Sequence, residues 1–257
     1  MKIGLLECDH VREEFRHIAG DYRDMFPALF APLAPHWQWQ FYDVVQGHLP
    51  ASPHECEAYI CTGSKFSVYD DEPWIHRLKD FAKLLYSVRK PFVGVCFGHQ
   101  LLGEALGGKV QKAEVGWCVG VHTFEGASVE CRVSSLNPFD TLNSKLDTPL
   151  DTPFNLLMMC QDQILQLPPD TQVLASTTDC PNAMILVGDC MLGLQAHPEF
   201  TVEYEEALMR SRVERIGAEK TERQLKTLTL PLDSKTVAEW IVKWVNFGKR
   251  SYGTKKT

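Results

Sequence analysis

Between Pro91 and Gly103 the chain reads Pro-Phe-Val-Gly-Val-Cys-Phe-Gly-His-Gln-Leu-Leu-Gly, and this stretch limits the fold more than any other. Pro91 to Val95 is a short apolar run, the pattern of a buried strand. It enters Cys96 without a linker, and a helical pattern from Gly98 to Leu106 follows until Gly107-Gly108 stops it. A strand that turns straight into a helix through Gly-x-Cys-x-Gly is a nucleophile elbow with cysteine in place of serine. The nucleophile has to sit on a sharp turn to project above the sheet. Glycines on both sides are then required where a Cβ would strike the neighbouring strand and helix. The helix start aims its amides and positive dipole end at the Cys96 sulfur, which favours a thiolate. The same amides suit an oxyanion, with the Phe97 N–H as first donor.

A thiol nucleophile needs a base. Of nine histidines, His36, His48 and His54 lie in polar or proline-rich sequence and read as surface residues. His99 falls on the first helical turn after the elbow and reads as structural. His197 is different: it follows the apolar run Met191 to Ala196 and precedes Pro198-Glu199. In an extended segment, residues two apart point the same way, so Glu199 can hold one imidazole nitrogen while the other faces the sulfur. Cys96, His197 and Glu199 are therefore the candidate catalytic residues.

Alternation of strand and helix organises the first half. Lys2 to Cys8, Trp37 to Val45 and Glu57 to Thr62 read as strands. Arg12 to Phe30 and Trp74 to Val88 read as helices, the first stopped by Pro32 and Pro35, the second bracketed by Pro73 and Pro91. That order predicts a parallel α/β sheet. From Val115 the pattern changes. Val115 to Phe124, Val129 to Val133, Val173 to Thr177, Ala183 to Val187 and Met191 to Gln195 are strand-like with turns between them, which suggests an antiparallel β-extension of the same sheet. Thr201 to Ile216 and Ser234 to Phe247 read as closing helices, with a charged helical stretch at Ala218 to Lys226. The expectation is one α/β domain over residues 1–257: three layers, an open and mostly parallel central sheet, the elbow, and a C-terminal helical extension over residues 201–250.

Composition excludes several classes. At 44% hydrophobic and 23% charged residues, the 257-residue chain is ordinary globular protein. Its net charge of −7 is not that of a general nucleic-acid binder, and the basic tail (Lys249, Arg250, Lys255, Lys256) reads as a solvated end. No apolar run approaches the roughly 20 residues that span a bilayer, and the N-terminus meets charge too soon for a signal peptide. Nine cysteines, odd in number and without a CxxC pair, fit reduced thiols in the cytoplasm rather than a zinc site or a disulfide framework. No metal and no organic cofactor is expected, because thiol, imidazole and backbone amides suffice for acyl transfer.

The elbow and the Gln195-Ala-His-Pro-Glu-Phe segment together resemble the class I glutamine amidotransferase family, with matching pieces from Leu5 to about Phe200. Trp39 to Gly47, Cys61-Thr-Gly-Ser with Trp74-Ile, and Gln161 to Pro168 are most similar to its stand-alone γ-glutamyl peptidase-like and GMP synthase-type glutaminase branch. The resemblance implies that Gln100 helps hold the substrate and that Gly63 supplies the second oxyanion amide. It also implies that the Glu114-Val-Gly-Trp segment, with Gly116 and Trp117, lines a γ-glutamyl pocket. Cys160 stands where many relatives carry a histidine. The function implied is hydrolysis of a γ-glutamyl amide, glutamine or a γ-glutamyl peptide, through a thioester on Cys96. The alternatives are a glutaminase subunit feeding ammonia to a partner synthetase, and a binding protein that keeps the fold without the activity. The chain has no phosphate-binding Gly-rich loop with Lys-Ser/Thr, so it carries no obvious ATP-dependent acceptor domain.

Overall fold

In the computed structural model, which describes residues 1–126 and 151–252, the strands with the most apolar sequences lie at the centre of one sheet. Strands β1 (Lys2–Glu7), β3 (Ala58–Cys61), β4 (Phe92–Val95) and β11 (Met191–Leu194) are buried at every position except Lys2, as strands covered on both faces must be. Strand β2 (Gln38–Asp43) sits at the edge and is mostly half-exposed. The nine-stranded sheet has the order β2-β1-β3-β4-β11-β10-β9-β6-β7. Its first five strands are parallel. From β11 onward, β10 (Cys180–Val187), β9 (Thr171–Thr177), β6 (Cys118–Gly126) and β7 (Phe154–Cys160) pair antiparallel. A separate ribbon joins β5 (Lys109–Lys112) to β8 (Asp162–Gln166).

Helices cover both faces. On one side lie α3 (Pro73–Ser87) and α4 (Phe97–Ala105). The buried residues of α3, Trp74, Ile75, Leu78, Phe81, Ala82 and Leu85, recur at helical spacing, and Pro73 opens the first turn. On the other side α2 (Tyr22–Phe30) and α8 (Ser234–Tyr252) contribute Phe26, Phe30, Trp240 and Trp244. The three layers and the mixed sheet agree with the α/β expectation.

Three boundaries differ from the sequence reading, each for a local reason. The helix expected over 12–30 is broken into a 3-10 turn (Glu13–Phe15), α1 (Arg16–Ala19) and α2. Gly20 takes φ 79°, and Asp21 and Asp24 cap α2 reciprocally. The strand expected from Val115 begins only at Cys118, because Ala113 to Gly116 forms a turn with Gly116 at φ 75°. The helix expected over 201–216 divides at Arg212 into α5 (Val202–Ser211) and α6 (Val213–Ile216). Strands β5, β7 and β8 went unread. The strand expected at Val129 to Val133 and the basic tail's side chains lie outside the described residues.

The C-terminal segment is bound to the antiparallel half. The Gly120 N–H donates to Glu205, Val121 to the Thr227 hydroxyl and Asn155 to Asp233. Between Val202 and Leu225, α5, α6 and α7 (Ala218–Leu225) therefore close the end of the molecule beside His197. Among the described residues no helix is long and apolar enough to cross a membrane.

Candidate active site

Register builds the site. Strands β4 and β11 are adjacent and parallel, with Val95 opposite Leu194. Residues 96 and 195–197 thus leave the sheet side by side at its carboxyl edge, where parallel sheets bind ligands. Cys96 adopts φ 51° and ψ −100°, a conformation L-residues rarely take. Its N–H donates to Leu194 O at 2.8 Å, and its carbonyl accepts from Gln100 at 2.9 Å, so the elbow is tied to both elements it joins. The two glycines have the steric role the sequence implied. A Cβ on Gly94 would lie 2.2 Å from Gly98 O, and one on Gly98 would lie 2.6 Å from Cys61 O. The Phe97 ring stacks on Trp74 at 5.5 Å and anchors the start of α4.

His197 is fixed on three sides. Its N–H donates to Leu157 O of β7 at 2.9 Å, its ring stacks on Phe200 at 3.9 Å, and Nδ1 meets Glu199 Oε1 at 2.7 Å. The backbone after His197 is a turn rather than the extended segment expected, closed by the Phe200 N–H on His197 O. The turn, not strand periodicity, brings the carboxylate back to the imidazole. With Nδ1 taken by Glu199, Nε2 is left free, and the Cys96 sulfur is the other group that acts on the ring. Burial works against charge on His197, yet the Glu199 carboxylate and the Cys96 sulfur outweigh it and lift the imidazole to about 10. His99, by contrast, is wholly buried against Gly193, and burial pushes it down to about 3. It stays neutral and structural.

Gly63 borders both groups: a Cβ there would lie 2.8 Å from His197 Cε1 and 3.6 Å from Cys96 Cβ. Its loop is pinned to the end of β1, where the Thr62 hydroxyl accepts from Cys8 N–H and Asp9 accepts from both nitrogens of Lys65. Gln100 is buried, and its amide nitrogen donates to Asp162 O at 2.7 Å and Gln195 Oε1 at 3.3 Å. That fixes the side chain and leaves its carbonyl oxygen as the group it can offer.

The cleft has two lobes that share Cys96, Ser64, Lys65, Met159 and Arg212. One reaches Gln100, Trp117 and Asp162; the other reaches His197, Phe200 and Tyr204. Trp117 lies in the wall of the first lobe. Gly116, one residue earlier, is not among the lining residues, and there is open space beside its Cα. Arg212 and Arg215, missed in the sequence, place their guanidinium groups over the Trp117 ring. Nothing in their spacing marks them, and Arg212 sits at the break between α5 and α6. Among the described residues no group of three or more His, Cys, Asp or Glu side chains is placed to hold a metal ion.

Glu205 was also missed. It is fully buried, its Oε1 accepts from Gly120 N–H at 3.0 Å, and it feels the charges of His197 and Glu199. Burial is the main cause that lifts its carboxyl to about 7. A carboxyl raised in the folded state stabilises the fold fully below its ordinary value of 4.5, and that contribution is lost as pH rises through about 7. Glu205→Gln keeps an acceptor for Gly120 without the titration. Denaturant unfolding at pH 5 and pH 8 should show the wild type losing stability over that interval and the variant losing less. Identical pH dependence in both would refute the assignment.

A mostly parallel sheet with a cysteine elbow and an imidazole–carboxylate pair side by side at its carboxyl edge defines an α/β protein with a candidate thiol site. The glutamine amidotransferase class-I family model matches residues 67–214, and the chain belongs to that family. It is 32% identical over 187 residues to gamma-glutamyl peptidase 4 of Arabidopsis thaliana, covering 70% of this chain and 68% of that one. It is 31% identical over 156 residues to the glutamine-hydrolysing GMP synthase of Streptococcus mutans, covering 59% of this chain and 26% of that one. The crystal structure of a glutamine amidotransferase from Thermotoga maritima shares the fold, with TM-score 0.67, 18% identity and coverage of 98% and 99% of the two chains.

Proposed function

We propose that the protein is a stand-alone cysteine hydrolase of γ-glutamyl amides that uses Cys96 as nucleophile, His197 as proton carrier and Glu199 as its orienter. The observation that carries the reading is the buried 2.7 Å contact of His197 Nδ1 with Glu199, which aims the other nitrogen at a cysteine held on a strained elbow. The Cys96 sulfur attacks the γ-carbonyl carbon as its proton passes to His197. The oxyanion is met by the Phe97 and Gly63 amides, positioned by the helix start and by the loop pinned at Asp9. As the C–N bond breaks, His197 gives its proton to the leaving nitrogen, and a γ-glutamyl thioester remains on Cys96. Water then attacks the thioester, His197 takes its proton, and glutamate leaves as the thiol is restored. Gln100 and the Trp117 wall face the glutamyl part. The relatives named gamma-glutamyl peptidase support the substrate class. A soluble, one-domain chain working in the reducing cytoplasm without metal or cofactor belongs to the same reading.

The GMP synthase relatives support a second reading, a glutaminase that passes ammonia to a separate synthetase. Turnover by the isolated chain favours the first, and silence relieved by a partner favours the second. The test is a side-by-side assay of γ-linked and α-linked glutamyl p-nitroanilide with the purified chain. The γ-linked compound should react at least about 10⁴-fold faster, as expected of a site whose polar groups pair with the glutamyl head. Comparable rates on both would reduce the reading to a cysteine hydrolase without glutamyl recognition.

A further inference from the structure

We infer that Arg212, backed by Arg215 on the Trp117 face, reads a free carboxylate on the leaving group, so that the preferred substrates are γ-glutamyl amino acids or peptides with a free C-terminus rather than glutamine. This rests on the γ-glutamyl hydrolase reading. The group that protonates the leaving nitrogen must lie beside it, which assigns the His197 lobe to the leaving group and the Gln100 lobe to the glutamyl head. Besides His197 itself, four cationic or titratable bases line the His197 lobe: His10, Arg12, Lys65 and Arg212. Three of them are already matched. Arg12 meets Glu14 at 3.3 Å, Lys65 meets Asp9 at 3.0 Å, and His10 stands between Asp21 and Asp43. Among the described residues Arg212 meets no carboxylate, and neither does Arg215.

Both guanidinium groups lie on the same indole, Arg212 at 5.9 Å and Arg215 at 5.1 Å from the ring centroid. Two like charges held on one surface without an ion-paired carboxylate, Arg212 being acted on by buried Glu205 through charge alone, make a place that suits an anion. A guanidinium held near an aromatic ring keeps its fork of N–H donors, which matches a carboxylate. Arg212 lies where the two lobes join, at the break between α5 and α6 that its own N–H closes on Met209 O. A leaving group extending from the reaction centre therefore meets it, whereas ammonia released from glutamine offers it nothing.

The test uses the full chain and three probes: glutamine, γ-glutamylglycine and γ-glutamylglycinamide. For the wild type, kcat/KM should favour the free acid over the amide by roughly 10- to 100-fold, the size of a hydrogen bond to a charged group. Arg212→Gln should lose most of that preference, falling at least about tenfold more on the acid than on the amide or glutamine. Arg212→Lys should recover part of it, having the charge without the fork. Equal wild-type rates on acid and amide would overturn the inference without any variant. So would an Arg212→Gln loss of the same size on all three probes, which would put Arg212 on the glutamyl head. No wild-type turnover of any probe would instead remove the hydrolase reading, and this inference with it.

Discussion

Cys96→Ala should abolish turnover of every γ-glutamyl amide, a loss on the order of 10⁴-fold or more, while leaving a folded protein. The two halves of that expectation have separate causes. Without sulfur there is no thioester, and neither His197 nor the oxyanion amides can replace it. Alanine still carries a Cβ at φ 51°, so the backbone strain of the elbow is unchanged and the fold loses only one small side chain. Thermal unfolding should shift by a few degrees at most, and a His197→Asn, Cys96→Ala double variant should be little less active than the single one. Labelling gives an independent check. Iodoacetamide should mark Cys96 first. Burial raises the thiols of Cys56, Cys180 and Cys190, Cys8 is raised by burial and its neighbour Cys61, and Cys160 by its neighbour Cys118 and then by burial. Cys118 is the thiol to watch, because its neighbour Cys160 pulls it down against the effect of burial. Cys118 labelled as fast as Cys96, or substantial turnover by Cys96→Ala, would remove Cys96 from the role.

What the sequence made legible is what sterics and covalent order fix locally. Gly94-Val-Cys-Phe-Gly98 could be read because only glycine fits where backbone meets backbone, and His197 because Pro198 and Glu199 sit beside it in the chain. Helix α3 could be read because its apolar residues keep one period for four turns between two prolines. Other features needed distant partners. Phe-Asn-Leu-Leu-Met-Met-Cys of β7 is apolar almost throughout, so no alternation distinguishes it, and it is a strand because β6 pairs with it residue for residue. The break at Gly20 required knowing that Asp21 and Asp24 would cap each other. Arg212 and Arg215 look like solvated charges of a closing helix until Trp117, almost a hundred residues earlier, is placed under them. Trp117 itself was assigned to the glutamyl pocket by resemblance. It lines the lobe that holds Gln100, with two guanidinium groups over its ring.

The elbow also makes a prediction about folding. Gly94→Ala should destabilise the protein by about 3 kcal/mol or prevent its folding, which is at the upper end for added core volume. The new Cβ would meet Gly98 O at 2.2 Å, Gly98 C at 2.3 Å and His99 N at 2.7 Å. All three are backbone atoms of the first turn of α4, so no side-chain rotation relieves the contact. Helix α4 cannot retreat freely. Gly98 lies against the Cys61 carbonyl of β3, and the Phe97 ring is stacked on Trp74. Strand β4 cannot retreat either, because it is hydrogen-bonded to β3 on one side and β11 on the other. Whatever moves must displace Cys96 from His197, so any folded fraction should also lose activity. Gly116→Ala is the control. Its Cβ would enter open space, and only its φ of 75° is strained, at a cost of about 1–2 kcal/mol. At roughly 2–4 °C per kcal/mol for a chain of this size, Gly94→Ala should melt about 6–12 °C below the wild type and Gly116→Ala less than that. A Gly94→Ala protein with wild-type melting and full activity would mean that α4 and β4 are not packed backbone to backbone, and the strained turn would no longer explain how Cys96 is presented.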